Sequence, residues 1–324
     1  MSPHPSSFIL GLQIVPTMSI AEIVDTICVA EELGYDHCMV ADEGLMQDVF
    51  VCLGAAAGLT KTIRLGVVTN GYTRHPAAIA AALASVNELS GGRAFVTLVA
   101  GGTMVLQPMG IERNSPLAVM DDTIEVLRSL WSGESIEWEG KRERLDGAQL
   151  SHGPQSIPIW VAARGERILA LAGQKADALV LMAKSDLADA IKEAGQTDRE
   201  FGLMYLDRLA FTPEMIEEAR GLYGYAILDS PPRVLRNLGI DDATMGCLRE
   251  AFASGGAKAI APLVTDDMVA AYQIAGTHAE CRSQLEDMIV RHRLDGFFIN
   301  IIGPGLDTNR ALLADVAAIV RGSS

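Results

Sequence analysis

The chain has 324 residues, 49% of them hydrophobic and 21% charged, with 41 Asp and Glu against 26 Lys and Arg for a net charge of -15. That length admits two domains or one large α/β barrel with a sizeable core, and the acidity, with no basic run, argues against a nucleic-acid partner. The five Cys are scattered without C-x-x-C spacing, which reads as reduced structural thiols, and no apolar run approaches a membrane span.

Residues 8–13 form a first apolar strand. Ser19 and Glu22 make the S-x-x-E pattern of a capping box, and Ile20, Ile23, Val24 and Ile27 give the following helix one apolar stripe, which Gly34 ends. A second strand over 37–41 ends in Asp42-Glu43-Gly44, and an Ala-rich helix covers about 49–59. A third strand runs from 63 to about 69. The polar loop Asn70-Gly71-Tyr72-Thr73-Arg74-His75 leads into a helix with Pro76 in its first turn and Ile79, Leu83 and Val86 on one face. Gly91-Gly92 stops that helix, and a fourth strand, 94–100, meets a second glycine pair, Gly101-Gly102.

After a loop with Pro108, Gly110 and Pro116, a helix over about 117–131 aligns Met120, Ile124, Leu127 and Trp131. Residues 134–150 break the pattern and read as a small hairpin turned at Glu139-Gly140. A fifth strand, 157–163, precedes a helix from near Gly165 to near Gly173, then a sixth strand, 178–182, and a helix over about 186–194. A seventh strand falls within 201–211, and Thr212-Pro213-Glu214 reads as an N-cap followed by a first-turn proline. The pattern then stays helical to Asp295, too much for one crossover, so several helices stack there. Thr277 caps the last of them, which ends near Arg293; an eighth strand, 296–302, and a closing helix over about 308–320 follow.

Eight short strands, apolar on both faces and alternating with helices, predict a closed (β/α)8 TIM barrel over residues 1–324 as a single domain, with extra helices between strands seven and eight. The alternative, an open doubly wound sheet, calls for G-x-G-x-x-G after the first strand, and GLQIVP lacks it. A barrel binds ligands at the C-terminal ends of its strands. Those ends gather Gln13, Asp42, Glu43, Asn70, Tyr72, Arg74, His75, Gly101, Gly102, Thr103, Ala163, Arg164, Gly165 and Asn300.

Glu43, if buried, is a carboxyl that can hold a proton near neutral pH beside Asp42. Thr69 and Asn70 can hydrogen-bond a ligand's polar edge, although Asn70-Gly71 is also a turn signal. Arg74 and His75 suit either a phosphate or a helix cap. Gly101-Gly102-Thr103 and Ala163-Arg164-Gly165 let the backbone approach an anion, and Arg164 adds a cation. The six His show neither H-x-H nor H-E-x-x-H, so no metal site is expected.

The stretch TNGYTRHPAAIAAALASVNELSGGRAFVTLVAGG resembles the third- and fourth-strand region of the luciferase-like flavin and deazaflavin enzymes. It is most similar to the branch that includes methylenetetrahydromethanopterin reductase. A second block, PIWVAARGERILALAGQKADALVLM from Pro158, resembles the same branch. The resemblance implies coenzyme F420 and hydride transfer between deazaflavin C5 and a small organic substrate with an activated double bond, imine or carbonyl. It implies Asp42 beside the ring, with Glu43 as general acid or base where His is commoner. It implies Val67 and Val68 backing the ring through a bulge at a non-prolyl cis peptide. LGVVTN departs from that pattern, being one residue shorter than the usual run. Thr69 and Asn70 would meet the ring's polar edge, and Gly101, Gly102, Thr103, Ala163, Arg164 and Gly165 the phosphate tail. The alternatives are an FMN-dependent monooxygenase, which needs a flavin reductase partner, and a flavin-binding relative without chemistry. Relatives of this kind are commonly dimers, so a homodimer is the expectation. MSPHPSS lacks the basic and apolar regions of a signal peptide, which points to the cytoplasm and no membrane partner.

Overall fold

The structure is a computed structural model and describes residues 8–195, 201–301 and 303–322. Its strands in chain order are β1 (Ile9–Ile14), β2 (His37–Ala41), β3 (Arg64–Thr69), β4 (Ala94–Val99), β5 (Ile136–Glu139), β6 (Arg144–Ala148), β7 (Ile159–Ala162), β8 (Ala178–Leu181), β9 (Gly202–Asp207), β10 (Leu209–Ala210), β11 (Ile274–Ala275) and β12 (Gly296–Ile301). Eight of these close a barrel in the order β1-β12-β9-β8-β7-β4-β3-β2, and every neighbouring pair in it is parallel. This is the (β/α)8 TIM barrel, and the open sheet is excluded by the β1–β12 pairing that closes it.

The helices start where local chemistry dictates. Ser19 and Glu22 form a complete capping box on the helix Ile20–Glu32, and Thr277 and Glu280 do the same for His278–His292. Pro76 opens Pro76–Leu89, whose buried face carries Ile79, Leu83 and Val86. Thr212 Oγ1 accepts from the Met215 N–H at the head of Pro213–Leu228. The fifth barrel strand is shorter than expected because Pro158 has no N–H to give the ladder, so β7 begins at Ile159. Residue 302, the expected end of the eighth strand, lies outside the described residues.

The lumen is filled by aromatic rings that need missing side chains opposite them. A Cβ on Gly11 would lie 2.2 Å from the Phe298 ring, and one on Gly66 would lie 2.3 Å from the Phe95 ring. Phe95, Trp160 and Phe298 close the lower lumen with His37, which stacks on Trp160 at 5.3 Å. Smaller residues, Ala41, Val68 and Ala162, line the lumen nearer the strand C-terminal ends.

The expected hairpin forms as β5 and β6. Asp122 holds it, because its Oδ2 accepts from the Arg142 and Glu143 N–H groups at 2.6 and 3.2 Å. Between β9 and β12 the extra helices Pro213–Leu228, Pro232–Asn237, Asp242–Ile260 and Asp266–Ala270 build a second apolar cluster around Tyr223, Ile227, Leu248 and Tyr272. A short parallel ladder, β10 with β11, ties their ends together; two residues per strand leave no readable period in the sequence.

Candidate active site at the barrel mouth

Asp42 follows β2 directly and is 8% exposed. Its N–H donates to Val68 O at 2.8 Å, which carries the β2–β3 ladder one residue beyond the strand. Its Oδ2 accepts from Thr69 Oγ1 at 2.9 Å and from Arg74 Nε at 2.8 Å. Arg74 also reaches Asp48 Oδ2 at 2.8 Å and lies 5.0 Å from the centre of the Phe50 ring. Asp48 in turn caps the helix Val49–Ala57. Burial works to raise the Asp48 carboxyl, but Arg74 and the cap N–H groups outweigh it and lower it. Arg74 is therefore committed to two carboxylates and is not a free phosphate ligand.

Glu43 is the next residue and its carboxyl has no cation partner among the described residues. Burial, and then the charge of Asp42, push its pKa above the ordinary glutamate value. Two neighbouring carboxyls thus differ: one is salt-bridged, the other is held above the ordinary glutamate range.

Thr69 and Asn70 end β3 and are both buried. Asn70 Oδ1 accepts from the Tyr72 and Thr73 N–H groups at 2.9 and 3.0 Å, an Asx turn that leaves Nδ2 as its remaining donor. His75 caps Pro76–Leu89 through Nδ1, 3.1 Å from Ala77 N, and Nε2 lies 3.1 Å from Glu143. The capping reading of His75 is the one the geometry takes.

Val67 and Val68 do not form a bulge. They pair in unbroken register with Val40 and Ala41 on one side and Val96 and Thr97 on the other, and no described peptide bond is cis. Val67 is fully buried in the layer between barrel and helices, so only Val68 faces the lumen.

The glycine pair after β4 turns the chain at the mouth. Gly101 has φ +77, and a Cβ there would lie 2.9 Å from Leu106 and 3.0 Å from Tyr72. A Cβ on Gly102 would meet nothing within 4 Å, so its backbone borders open space. Thr103 begins the four-residue helix Thr103–Leu106 and is exposed. After β7, Ala163 is buried and Gly165 caps Glu166–Lys175 with no side-chain cap bond and open space at its Cα. Arg164 goes elsewhere. Its guanidinium donates to Ala226 O and Asp229 O at 3.0 Å each and pairs with Asp229 at 2.9 Å, which pins the end of Pro213–Leu228. Arg233 makes a second clamp, with both bonds to the buried Asp186 at 2.8 Å.

The predicted residues after β2, β3, β4 and β7 therefore lie on one arc of the mouth. Gln13 and Asn300 lie on the opposite arc, with Gln13 Nε2 3.5 Å from Asn300 Oδ1. That arc also holds a group the sequence reading did not single out. Asp207, at the end of β9, is buried and accepts from Tyr205 OH at 2.7 Å, Arg208 N at 2.7 Å and Tyr223 OH at 2.8 Å. Burial pushes its carboxyl up to about 7 against the pull of those bonds. The adjacent charges Asp207-Arg208, set between apolar residues at a strand end, were the available signal.

The first arc fits a flat, anionic-tailed cofactor. It offers a floor of small side chains (Ala41, Val68, Ala162), polar groups at the edge (Asp42, Asn70) and open backbone at Gly102 and Gly165. No group of three or more His, Cys, Asp or Glu among the described residues is arranged to hold a metal ion.

Comparison with known proteins bears on this geometry. The model of the family described as luciferase-like monooxygenase matches residues 4–295. A 5,10-methylenetetrahydromethanopterin reductase of Archaeoglobus fulgidus is 29% identical over 300 residues, covering 86% of this chain and 89% of the relative. The solved structure of a coenzyme F420-dependent tetrahydromethanopterin reductase from Methanopyrus kandleri superposes with a TM-score of 0.84 at 23% identity, over 97% of this chain and 99% of that one. An F420-dependent secondary alcohol dehydrogenase, solved with an F420-acetone adduct, gives 0.76 at 20% identity over 97% and 99%.

Proposed function

The chain belongs to the luciferase-like monooxygenase family, and we propose that within it the protein is an F420-dependent oxidoreductase acting on a small organic substrate. The observation that carries this reading is the arc after β2, β3, β4 and β7, where small side chains, a paired carboxylate and open glycine backbone meet. The reductase relatives support it.

Bound F420 would supply hydride transfer at its C5, to or from an activated double bond, imine or carbonyl. Ala41, Val68 and Ala162 would seat the ring. Asp42 and the Asn70 amide would hold its polar edge; Thr69, fully buried and donating to Asp42, does not reach the ring but joins Arg74 in keeping the Asp42 carboxylate fixed for that task. The backbone at Gly101, Gly102 and Thr103 and at Ala163, Arg164 and Gly165 would receive the phosphate tail. Glu43 would hold the proton that the reacting atom needs, because burial favours its protonated form. The helices clamped by Arg164 and Arg233 would cover the mouth and exclude water.

We also read the protein as cytoplasmic and as a homodimer. Among the described residues no helix is long and apolar enough to cross a membrane; light scattering after gel filtration tests the dimer. The family's description names monooxygenases, so FMN with oxygen and a separate reductase is the second reading.

The functional test is a screen. The protein is mixed with reduced F420 and a panel of enones, imines, ketones and nitroaromatics, and the visible absorbance of the oxidised deazaflavin is followed. Recovery with one acceptor class supports the reading. Cofactor binding with no turnover on any class favours a binding protein instead.

A further inference from the structure

A cleft of about 600 Å3 opens on the arc opposite the cofactor arc. Its walls come from the end of β12, the helices Pro213–Leu228 and Leu306–Arg321, and the segment 257–261. Met215, Leu222 and Leu312 give it an apolar side. Arg208, Asn300 and Thr308 give it a side of hydrogen-bond donors.

Arg208 is the unusual member. The other half-buried arginines at the mouth, Arg74, Arg164 and Arg233, each hold a carboxylate. Among the described residues the Arg208 guanidinium has neither an ion pair nor a hydrogen bond. The oxygens of Asp207 are bonded by Tyr205, Tyr223 and the Arg208 backbone N–H, so its charge reaches the guanidinium through space without a hydrogen bond. Glu217, which pairs with Arg220, and the exposed Glu218 also line the cleft, as does Lys258, but neither carboxylate bonds Arg208. Burial holds the guanidinium below the ordinary arginine value, outweighing the through-space pull of Tyr223, Asp207 and Glu218. Asn300, which also lines the cleft, uses its Oδ1 toward Gln13 and keeps its Nδ2 as a second donor.

A planar fork without an acceptor, beside a neutral donor and an apolar wall, matches an organic anion. We propose that this cleft is the substrate subsite and that Arg208 receives a carboxylate or phosphate carried by the substrate, away from the bond that is reduced. The inference rests on the reading of the opposite arc as the F420 site, since that places the two ends of one substrate across the mouth.

The test uses the full chain and two simple probes. Inorganic phosphate and succinate are titrated by calorimetry, at ionic strength fixed with chloride, into bare protein and into protein saturated with F420. Saturation blocks any phosphate site on the cofactor arc. Wild type is expected to bind both probes in the F420-saturated state. Arg208→Gln is expected to weaken that binding by about tenfold or more, the scale of a lost charge-assisted pair, with F420 affinity unchanged. Arg208→Lys should recover part of the loss. Equal anion affinity in wild type and Arg208→Gln overturns the site. If F420 binds neither protein, the cofactor reading fails, and the titration into bare protein still decides the anion site. Should Arg208→Gln not fold, phenylglyoxal labelling of wild type, read by peptide mass, replaces it: phosphate should protect Arg208 and leave the paired Arg164 unchanged. Absence of protection at Arg208 overturns the proposal.

Discussion

Asp42 and Arg74 are joined at 2.8 Å across the loops that follow β2 and β3, and the same guanidinium holds Asp48 at 2.8 Å. One arginine thus ties the site carboxylate to the cap of the next helix. Asp42→Ala removes one of its two partners and leaves the buried Thr69 hydroxyl without its acceptor. We expect F420 affinity to fall about tenfold and stability to fall by about 1–3 kcal/mol. Fluorescence titration and thermal melts read the two effects separately. Unchanged F420 affinity would remove Asp42 from the cofactor site.

Glu43 should show an opposite dependence on pH from an ordinary salt-bridged acid. Burial and the Asp42 charge raise its folded-state pKa. The folded protein then holds that proton more tightly than the unfolded chain. Its contribution to stability is present below about pH 4.3 and is lost as pH rises through the raised value. Glu43→Gln should therefore gain on wild type in urea melts as pH rises from about 4.3 through the raised value. A constant difference between the two proteins across that range would show that Glu43 is not shifted. In turnover, once an acceptor is found, the same variant should lose about 100-fold or more in kcat.

Much of this architecture could be read from local sequence, because local chemistry decides it. Ser19 with Glu22, Thr277 with Glu280, and Pro76 each fix a helix start within four residues. The strand ends followed from the same reading, and with them the arc from Asp42 to Gly165. What escaped depends on partners distant in the chain. Arg164 could be placed at the mouth, but nothing near it in sequence announces that Asp229, 65 residues on, takes its guanidinium. Asp186 and Arg233 are 47 residues apart. The bulge expected at Val67-Val68 came from resemblance alone, and the shorter run there keeps plain register instead.

His37 is expected to set the acid limit of the fold. It lies among Phe95, Trp160 and Phe298, and its Nδ1 has no partner. Burial, and then the Arg64 charge, push its pKa down to about 3. The unfolded chain takes up the proton near pH 6.5 and the folded chain does not, so stability is present above about 6.5 and falls toward about pH 3. The slope from this group is about 1.4 kcal/mol per pH unit. His37→Phe should flatten the acid limb in urea melts between about pH 6.5 and about pH 4. A limb as steep as that of wild type would mean that other groups set it.

The helix Asp242–Ile260 is broken at Gly255-Gly256, beside the segment that walls the cleft. Gly256 has φ +62 and ψ -146, a conformation open essentially to glycine alone. Gly256→Ala should cost about 1–3 kcal/mol through backbone strain, since its Cβ would meet nothing within 4 Å. Gly246 lies in the regular part of the helix and also faces open space. Gly246→Ala should stabilise by about 0.5–1 kcal/mol. Equal effects in thermal melts would mean that the break is not held by the glycines.

The central claim is that the arc formed after β2, β3, β4 and β7 holds a deazaflavin. Side-by-side titration of the purified protein with F420 and FMN tests it most directly. The account predicts saturable F420 binding that is tighter than FMN binding and is weakened by Asp42→Ala. Binding of FMN in preference to F420, or of neither, would contradict it.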